Sequence, residues 1–356
     1  MHVLGHSDGA LCGPVGRLGA YRARDGSPGE AVGVDLGGPH AALVVGKRGS
    51  GKSHTLGVVA EELATVDGIA PVVVDPMGAF ATLAADPVGA TVVDPTVPAD
   101  ALDPRSWCDL LGLAPTDAAG ALVWRAAAER GGDGIDGMRA FVESAAAPDA
   151  AKRAAGNHLR LAAAWGVFGD DGPDLLGPEV TVLDCSGLDR APANAVCRAA
   201  ADACYRARVA ASDEVNGGSD RGTPSDRLPW LLVDEVHAFF DGVAAPALRR
   251  LLTRGRGPGV SLVAATQRPS ALPEVAASQA DLLVAHRLTS EADLAALRAA
   301  RPTYVDGALT APGRRPTRPG EALVVDDATE RCHAIRVRER ETPHGGTSPR
   351  LGGNSK

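Results

Sequence analysis

A glycine-rich stretch early in the chain has the residue types that bind phosphate. Residues 46–53 read Gly-Lys-Arg-Gly-Ser-Gly-Lys-Ser and match the pattern G-x-x-x-x-G-K-[S/T]. Glycines let the backbone curl so that successive N–H groups point at a phosphate, and a following helix adds its positive end. Lys52 is expected to reach the β- and γ-phosphates of a nucleotide, and the Ser53 hydroxyl to hold Mg²⁺.

The residues on either side of this loop supply the context that the motif requires. The apolar run 41–45 before it is typical of a buried parallel strand, and residues 54–64 after it are compatible with a helix. A glycine-rich turn with a coincidental lysine is the alternative, but a strand–loop–helix order favours nucleotide binding. The predicted nucleotide-binding residues are Gly46, Lys47, Arg48, Gly49, Ser50, Gly51, Lys52, Ser53 and His54.

A pair of acidic residues follows another apolar run, and it matches the acidic partner of a phosphate loop. Asp234 can hold Mg²⁺ through water, and Glu235 can orient and deprotonate the water that attacks the terminal phosphate. Without the loop at 46–53, a solvated turn would explain two acids at a strand end equally well. GTPases usually place this water with glutamine, and no N-K-x-D segment is found, so ATP is the predicted nucleotide.

Other polar residues also follow apolar runs. Gln267 is the predicted sensor of the γ-phosphate, with Thr266 as the second candidate; a strand-ending turn is the alternative. Asp75 and Asp184 each end a predicted strand. Because the carboxyl ends of parallel strands share one edge of a sheet, Asp75 is predicted as a further magnesium contact, and Asp184 is a weaker candidate.

A basic run at residues 249–257 precedes the apolar run at 260–265. Its position suits an arginine that reaches the nucleotide of a neighbouring copy, an arginine finger acting in trans. Arg254 and Arg256, on a glycine-flanked turn, are better candidates than Arg249 and Arg250. A solvated helix face is the alternative.

Composition bounds the class of protein. The chain has 356 residues and a formal charge of −8, which argues against a surface coated for nucleic acid but permits a local basic lining. Its 6 cysteines form no C-x-x-C pair and are expected as free thiols in a reducing compartment. Neither a signal peptide nor a run of about 20 apolar residues is found, so a cytoplasmic protein without a membrane partner is predicted.

The apolar runs, separated by helical stretches, predict an α/β fold whose mainly parallel sheet carries helices on both faces. Residues 1–36 are expected as a short strand-rich segment, 37–340 as the core with a helical insertion at about 101–176, and 341–356 as a disordered tail. A polar surface loop is predicted at 211–228, and a C-terminal β-hairpin from 321–325 and 334–337. The predicted sheet strands are 41–45, 71–74, 91–93, 180–183, 230–233, 260–265 and 282–285.

Taken together, these motifs resemble the HerA-type ATPases of the HerA–FtsK superfamily of ring-forming DNA translocases. The resemblance spans roughly residues 38–340. It implies a RecA-like core in a hexameric ring, with Mg²⁺ and ATP at subunit interfaces and double-stranded DNA in the channel. Lys52, Ser53, Asp75, Asp234, Glu235 and Gln267 would match the positions within one subunit, and Arg254 or Arg256 the trans finger. The segments that carry the resemblance are 44–57, 74–78, 232–237, 254–260, 265–270 and 278–281.

One departure concerns the partner. HerA-type helicases carry an N-terminal β-barrel that helps ring assembly and nuclease docking, and the stretch before the loop is expected to be too short for it. A nuclease partner in DNA end processing and repair is therefore the weaker part of the resemblance.

The predicted function is Mg²⁺-ATP hydrolysis that drives a ring along double-stranded DNA or unwinds it. The alternatives are an ATPase of a conjugation- or secretion-like system that moves protein or nucleoprotein, and a nucleotide-gated regulatory module. Candidate DNA contacts are Arg125, Arg130, Arg139 and the segment 314–318.

Overall fold

The computed structural model describes residues 1–6, 13–23, 25, 27–217, 227–300 and 314–344. The strands are β1 (His2–Leu4), β2 (Val15–Arg22), β3 (Pro28–Asp35), β4 (Ala41–Val45), β5 (Ile69–Asp75), β6 (Thr91–Val93), β7 (Thr181–Asp184), β8 (Leu228–Val233), β9 (Ser261–Thr266), β10 (Leu282–Ala285), β11 (Glu321–Asp326) and β12 (Arg331–Val337). The α-helices are α1 (Lys52–Leu63), α2 (Pro104–Leu110), α3 (Ala118–Arg130), α4 (Gly134–Ser144), α5 (Asp149–Ala164), α6 (Arg190–Gly217), α7 (Ala245–Arg254), α8 (Glu274–Ser278) and α9 (Glu291–Ala300).

The strands form one 12-stranded sheet in the order β1-β3-β2-β12-β11-β10-β4-β9-β8-β5-β7-β6. From β10 to β6 every neighbouring pair is parallel. β11 pairs antiparallel with both β10 and β12, which confirms the predicted C-terminal hairpin. The predicted α/β class with a mainly parallel sheet is confirmed, and the carboxyl ends of the parallel strands meet at one edge.

The central parallel strands β4, β8 and β10 are apolar throughout because both faces of the sheet are covered. In β4, Leu43 packs into the core on the face that holds the helices α2–α7. The next residue, Val44, packs into the other core, which includes Leu56 and Leu63 of α1. This alternation explains why a strand that would be half polar in an open sheet is an unbroken apolar run here.

Charged residues attach α2 to α6 and α7. Asp103 caps α2 by accepting from the Ser106 N–H at 3.0 Å, and it also accepts from the Arg198 guanidinium at 3.1 Å. Arg198 and Arg250 both contact Asp202. Arg250, in the basic run considered for the finger, is therefore held in a structural ion pair.

The predicted division of the chain into segments stays a prediction.

Two boundaries differ from the sequence prediction. Helix α6 continues to Gly217, so it covers the first part of the predicted loop 211–228, while residues 218–226 lie outside the described residues. At the other end, residues 341–344 of the predicted disordered tail are ordered: Thr342 is buried because its N–H and hydroxyl donate to Glu61. Residues 345–356, and Cys12, lie outside the described residues.

Within the described part of the chain, none of the helices is both long and apolar enough to cross a membrane.

Candidate active site

The phosphate-loop motif connects the carboxyl end of β4 to the start of α1, as predicted. Gly49 (φ 72°) and Gly51 (φ 117°) have left-handed backbones that side-chain-bearing residues rarely adopt. A Cβ at Gly51 would also lie 3.0 Å from the Gly320 nitrogen. The loop is anchored to its neighbours, since the Lys47 N–H donates to the Arg287 carbonyl at 2.8 Å. The glycine positions are therefore required by the loop's path.

Lys52 lies inside this loop. Its residue surface is only 5% exposed, although lysine is rarely buried without a partner. Its ammonium group lies 3.5 Å from the Lys47 carbonyl, so the side chain folds back across the loop. The loop thereby holds a positive charge within its own curve, where a phosphate would be bound.

The Ser53 hydroxyl donates to an Asp234 carboxylate oxygen at 2.6 Å. This bond joins the first turn of α1 to the end of β8. Because the Ser53 proton is used by Asp234, the lone pairs of its oxygen stay available to a cation. A hydroxyl and a carboxylate oxygen side by side are ligands that suit Mg²⁺. The lysine, the serine and the acidic pair, predicted from separate motifs, are thus brought together.

Asp234 is buried, with 1% of its surface exposed. Burial raises its pKa, and the neighbouring Glu235 charge raises it further, while the Ser53 hydrogen bond and the Lys52 charge lower it. A cation bound at Ser53 and Asp234 would favour the ionised carboxylate and offset the cost of burial.

Glu235 has a left-handed backbone (φ 46°, ψ 41°), a conformation that costs a non-glycine residue about 1–3 kcal/mol. Burial raises the pKa of its carboxyl group, but the His237 imidazole at 3.3 Å, the Lys52 charge and the Gln267 backbone lower it more. The net direction is downward. Glu235 is therefore ionised at neutral pH and able to accept a proton from water.

The end of β9 presents the predicted sensor. Thr266 pairs in register with Val45, the last residue before the phosphate loop. Thr266 is fully buried, and its hydroxyl oxygen accepts from the Arg268 N–H at 3.0 Å. Gln267 follows it, partly exposed at the same edge. Of the two candidates, Gln267 is the one at the surface of the site, while Thr266 belongs to its interior.

Asp75 lies at the end of β5, next to β8, and is buried. Its two carboxylate oxygens accept from the backbone N–H groups of Met77 (3.1 Å) and Phe80 (2.8 Å). Burial raises its pKa, and so does Asp184, its partner in register on β7. These bonds shape the turn after β5 and use both carboxylate oxygens. Asp75 would therefore contact magnesium through a water molecule and not directly. Asp184 likewise accepts from the Ser186 N–H at 2.9 Å.

The two candidate finger arginines lie at the opposite edge of the sheet. Arg254 ends α7, and the Arg256 guanidinium is 3.9 Å from Asp281. Asp281 accepts from the N–H of Ala41, the first residue of β4. The phosphate loop begins after Val45, the last residue of β4. The length of β4 separates them, roughly 13 Å at 3.3 Å per residue. Neither arginine is placed to reach the phosphate loop of its own chain.

His54 is the last of the predicted nucleotide-binding residues, and its side chain contacts the C-terminal part of the described chain. Its Nε2 is 2.7 Å from the Arg338 carbonyl, and its ring meets that of His344 edge-on. Arg48 and Gly49 are exposed at the tip of the loop.

Two histidines were absent from the predicted site residues. His286 follows β10, the parallel neighbour of β4, and its Nε2 lies 2.9 Å from the Thr55 hydroxyl in α1. Burial lowers its pKa to about 4, so the ring is neutral; Nδ1–H donates to the Glu321 carbonyl. The strand-end rule that selected Gln267 could have found it. His237 appeared only within the resemblance, and its contact with Glu235 needs the folded turn.

Residues 35–134 match the family model described as "Helicase HerA, central domain". Over this stretch the chain is similar to the HerA central domain. The matched region contains the phosphate loop, Lys52, Ser53 and Asp75. No curated protein sequence matches the chain.

Solved structures of other proteins share the fold of this chain. VirB4 of Thermoanaerobacter pseudethanolicus superposes with a TM-score of 0.63 at 18% identity, covering 94% of this chain and 99% of VirB4. The bacterial conjugative coupling protein TrwB, lacking its first residues, gives a TM-score of 0.51 at 16% identity, covering 95% of this chain and 98% of TrwB. At these identities the likeness concerns the fold, a RecA-like P-loop ATPase fold, as predicted.

Proposed function

We propose that the chain is a Mg²⁺-dependent ATPase that assembles as a homo-oligomeric ring, most simply a hexamer, and moves along or unwinds double-stranded DNA. The observation that carries the ATPase part is the 2.6 Å bond between Ser53 and Asp234. That bond joins a phosphate loop holding a buried lysine to the acidic pair of β8.

The site's own residues have separable tasks in this proposal. The backbone of Gly46–Ser53 and Lys52 bind the phosphates, and Ser53 and Asp234 hold the cation. Magnesium, when bound, would neutralise charge on the β- and γ-phosphates. Glu235 takes the proton of the water whose oxygen attacks the γ-phosphorus in line. The bond from that phosphorus to the ADP oxygen breaks and ADP leaves, while Gln267 reads whether the γ-phosphate is present.

The placement of the arginines supports a ring. Arg254 and Arg256 are exposed at the edge of the sheet opposite the phosphate loop. In a head-to-tail ring, this edge of one copy can face the loop edge of the next. Arg256, or Arg254, then supplies positive charge to the neighbour's γ-phosphate.

Double-stranded DNA as the substrate is supported by the match of residues 35–134 to the central domain of the helicase HerA. The candidate contacts of the inserted helices are paired with nearby acids: the exposed Arg125 with Glu129, the exposed Arg130 with Asp133, and the partly exposed Arg139 with Asp136. Exposed pairs of this kind are weak, so DNA phosphates can displace them. The segment 314–318 instead lies close to the phosphate loop, since Gly320 donates to the Ser50 carbonyl at 3.1 Å. A nuclease partner in DNA end processing is a further part of the proposal.

A second candidate is an ATPase that moves protein or nucleoprotein in a conjugation- or secretion-like system. It is favoured by the superposition on a conjugative coupling protein and on VirB4. A nucleotide-gated regulatory module is less well supported, because binding alone does not need an ionised Glu235.

Steady-state ATP hydrolysis with and without duplex DNA separates these candidates. Stimulation by DNA supports the DNA motor, strong turnover without DNA supports the second candidate, and tight binding without turnover supports the regulatory module. Lys52→Ala should abolish binding or turnover. Glu235→Gln should bind ATP but hydrolyse it about 10²–10⁴ times more slowly, the usual loss for a general base. Near wild-type turnover by Glu235→Gln would refute its assignment as the base.

Mixing variants tests the ring. Arg256→Ala keeps its phosphate loop, and Lys52→Ala keeps its arginine, so a mixed ring should regain part of the activity that each has lost. Arg249→Ala, exposed in the same basic run, is the matched control and should keep wild-type activity. If mixing restores nothing under conditions in which rings form, with Arg254→Ala behaving in the same way, the trans finger is excluded.

A further inference from the structure

The general base proposed above sits on a backbone that does not by itself fix its side chain. Glu235 begins a short 3₁₀ turn, Val236–Ala238, from a left-handed conformation. Its N–H donates to the Asp234 carboxylate at 2.9 Å, so the main chain is held. The carboxylate, however, extends beyond these backbone contacts and needs a side-chain partner to keep one direction.

His237 supplies such a partner. Its Nδ1 lies 3.3 Å from Glu235 Oε2 and 3.1 Å from Thr266 Oγ1. An ionised carboxylate can only accept, so Nδ1 must carry a hydrogen to be attracted to it. Glu235 Oε2 is buried and makes no hydrogen bond among the described residues, so a hydrogen on Nδ1 is the donor that a small rotation of the imidazole would bring to it. The imidazole lies between the turn after β8 and the end of β9.

The contact between His237 and Thr266 links Glu235 to the strand end that carries the proposed γ-phosphate sensor. Thr266 is the last residue of β9, and Gln267, the proposed γ-phosphate sensor, follows it directly. The Thr266 oxygen also accepts from the Arg268 N–H at 3.0 Å, so it is bound to the turn that carries Gln267. A shift of that turn changes the position of Thr266, and through it the imidazole that holds Glu235.

We propose that His237 is a positioning residue: its Nδ1–H directs the Glu235 carboxylate towards the attacking water and ties it to the strand end that carries the sensor. This inference rests on the proposed ATPase function. It assigns His237 no contact with the nucleotide, so nucleotide affinity should not depend on it. The imidazole contributes to kcat through the orientation of Glu235 alone.

Three substitutions at position 237 test this geometry. His237→Ala removes the donor and should lower kcat about 10- to 100-fold, the range for loss of a group that orients a catalytic ligand, with KM and the Kd of a fluorescent ATP analogue unchanged. His237→Asn places an amide N–H near Nδ1 and should restore much of kcat. His237→Gln places its amide near Nε2 and should not.

Thr266→Val provides the matched test of the second contact. It should lower kcat less than His237→Ala does, and the double variant should be no slower than His237→Ala alone, because the two residues act through one link. Thermal unfolding of each variant separates positioning from folding. A merely structural role would lower stability and raise KM together, and Asn and Gln would then behave alike.

The outcomes distinguish this inference from the proposed function. If the wild-type chain shows no Mg²⁺-ATP turnover with or without DNA, both are refuted. If the wild type turns over and His237→Ala keeps its kcat, or His237→Gln rescues where His237→Asn does not, the positioning role alone is refuted.

Discussion

Glu61 on α1 is expected to have a large effect on stability, because it fixes the end of the described chain to the helix of the phosphate loop. Only 3% of its surface is exposed. One carboxylate oxygen accepts from the Thr342 N–H at 2.9 Å and its hydroxyl at 2.7 Å. The other accepts from Arg338 at 2.7 Å and from the Glu341 N–H at 3.1 Å. The Arg340 guanidinium lies 3.4 Å away.

The magnitude follows from what Glu61→Ala would leave behind. The Arg340 side chain is 2% exposed, and without Glu61 its charge would be buried unpaired. Removing one partner of a buried ion pair costs about 3–5 kcal/mol. Arg338 keeps its contact with Glu62 at 2.7 Å, which moderates the loss. We therefore expect the free energy of unfolding to fall by about 3 kcal/mol.

Urea denaturation followed by circular dichroism measures this change, with the midpoint moving and the slope m unchanged. The control is Glu129→Ala, whose partner Arg125 is exposed, and whose expected cost is below about 1 kcal/mol. If Glu61→Ala costs no more than Glu129→Ala, the buried pair does not stabilise the helix as described.

The acid dependence gives a second check. Burial raises the pKa of Glu61, but the bonds from Thr342, Glu341 and Arg338 lower it below the model-peptide value of 4.5. The folded state therefore holds the carboxylate ionised more strongly than the unfolded state does. This stabilisation is present above pH 4.5 and is lost as the pH falls through the lower folded-state pKa. The difference between wild type and Glu61→Gln should shrink over that range, and a constant difference would contradict the argument.

Two further predictions concern the loop and the opposite edge of the sheet. Gly51→Ala should weaken ATP binding in a fluorescence titration, because it strains a φ of 117° and brings a Cβ to 3.0 Å from Gly320, whereas Gly156→Ala, in open helical space, should not. For His40, burial lowers the pKa but the bond to Asp281 raises it more, giving a net rise above 6.5. The stabilisation by protonated His40 is complete below pH 6.5 and is lost as the pH rises through the folded-state pKa. The wild type should therefore lose more stability than His40→Gln over that range. An equal loss in both proteins would contradict the stabilising bond between His40 and Asp281.

Much of the fold follows from local pattern. Parallel strands buried on both faces need unbroken apolar runs, and the run at 41–45 is therefore a strand with those same bounds in the structure. Glycines at left-handed positions, with a lysine and a serine at fixed spacing, specify a phosphate loop regardless of distant contacts. The direction of parallel strands then predicts that residues which directly follow them, such as Asp234 and Gln267, share one edge.

Contacts between distant parts of the chain were decided by the tertiary structure. Ser53 and Asp234 are 181 positions apart, and their hydrogen bond follows only when β8 and β4 are placed on either side of β9. Asp75 has the same strand-end pattern as Asp234, yet its oxygens are used by the turn that follows it. The partners of Asp75 lie in the next five residues, whereas Asp234 bonds to the distant Ser53, so the role of Asp234 is the one that the tertiary structure decides.

The same reason explains the tail and the arginines. Thr342 lies in a polar, proline-containing segment that favours disorder by composition, but Glu61, 281 positions away, buries it. Arg254 and Arg256 have the sequence context of a finger, but only the strand order shows that they lie across the sheet from their own phosphate loop. Short-range pattern determines which elements form, whereas burial and hydrogen bonding between elements determine which polar residues meet.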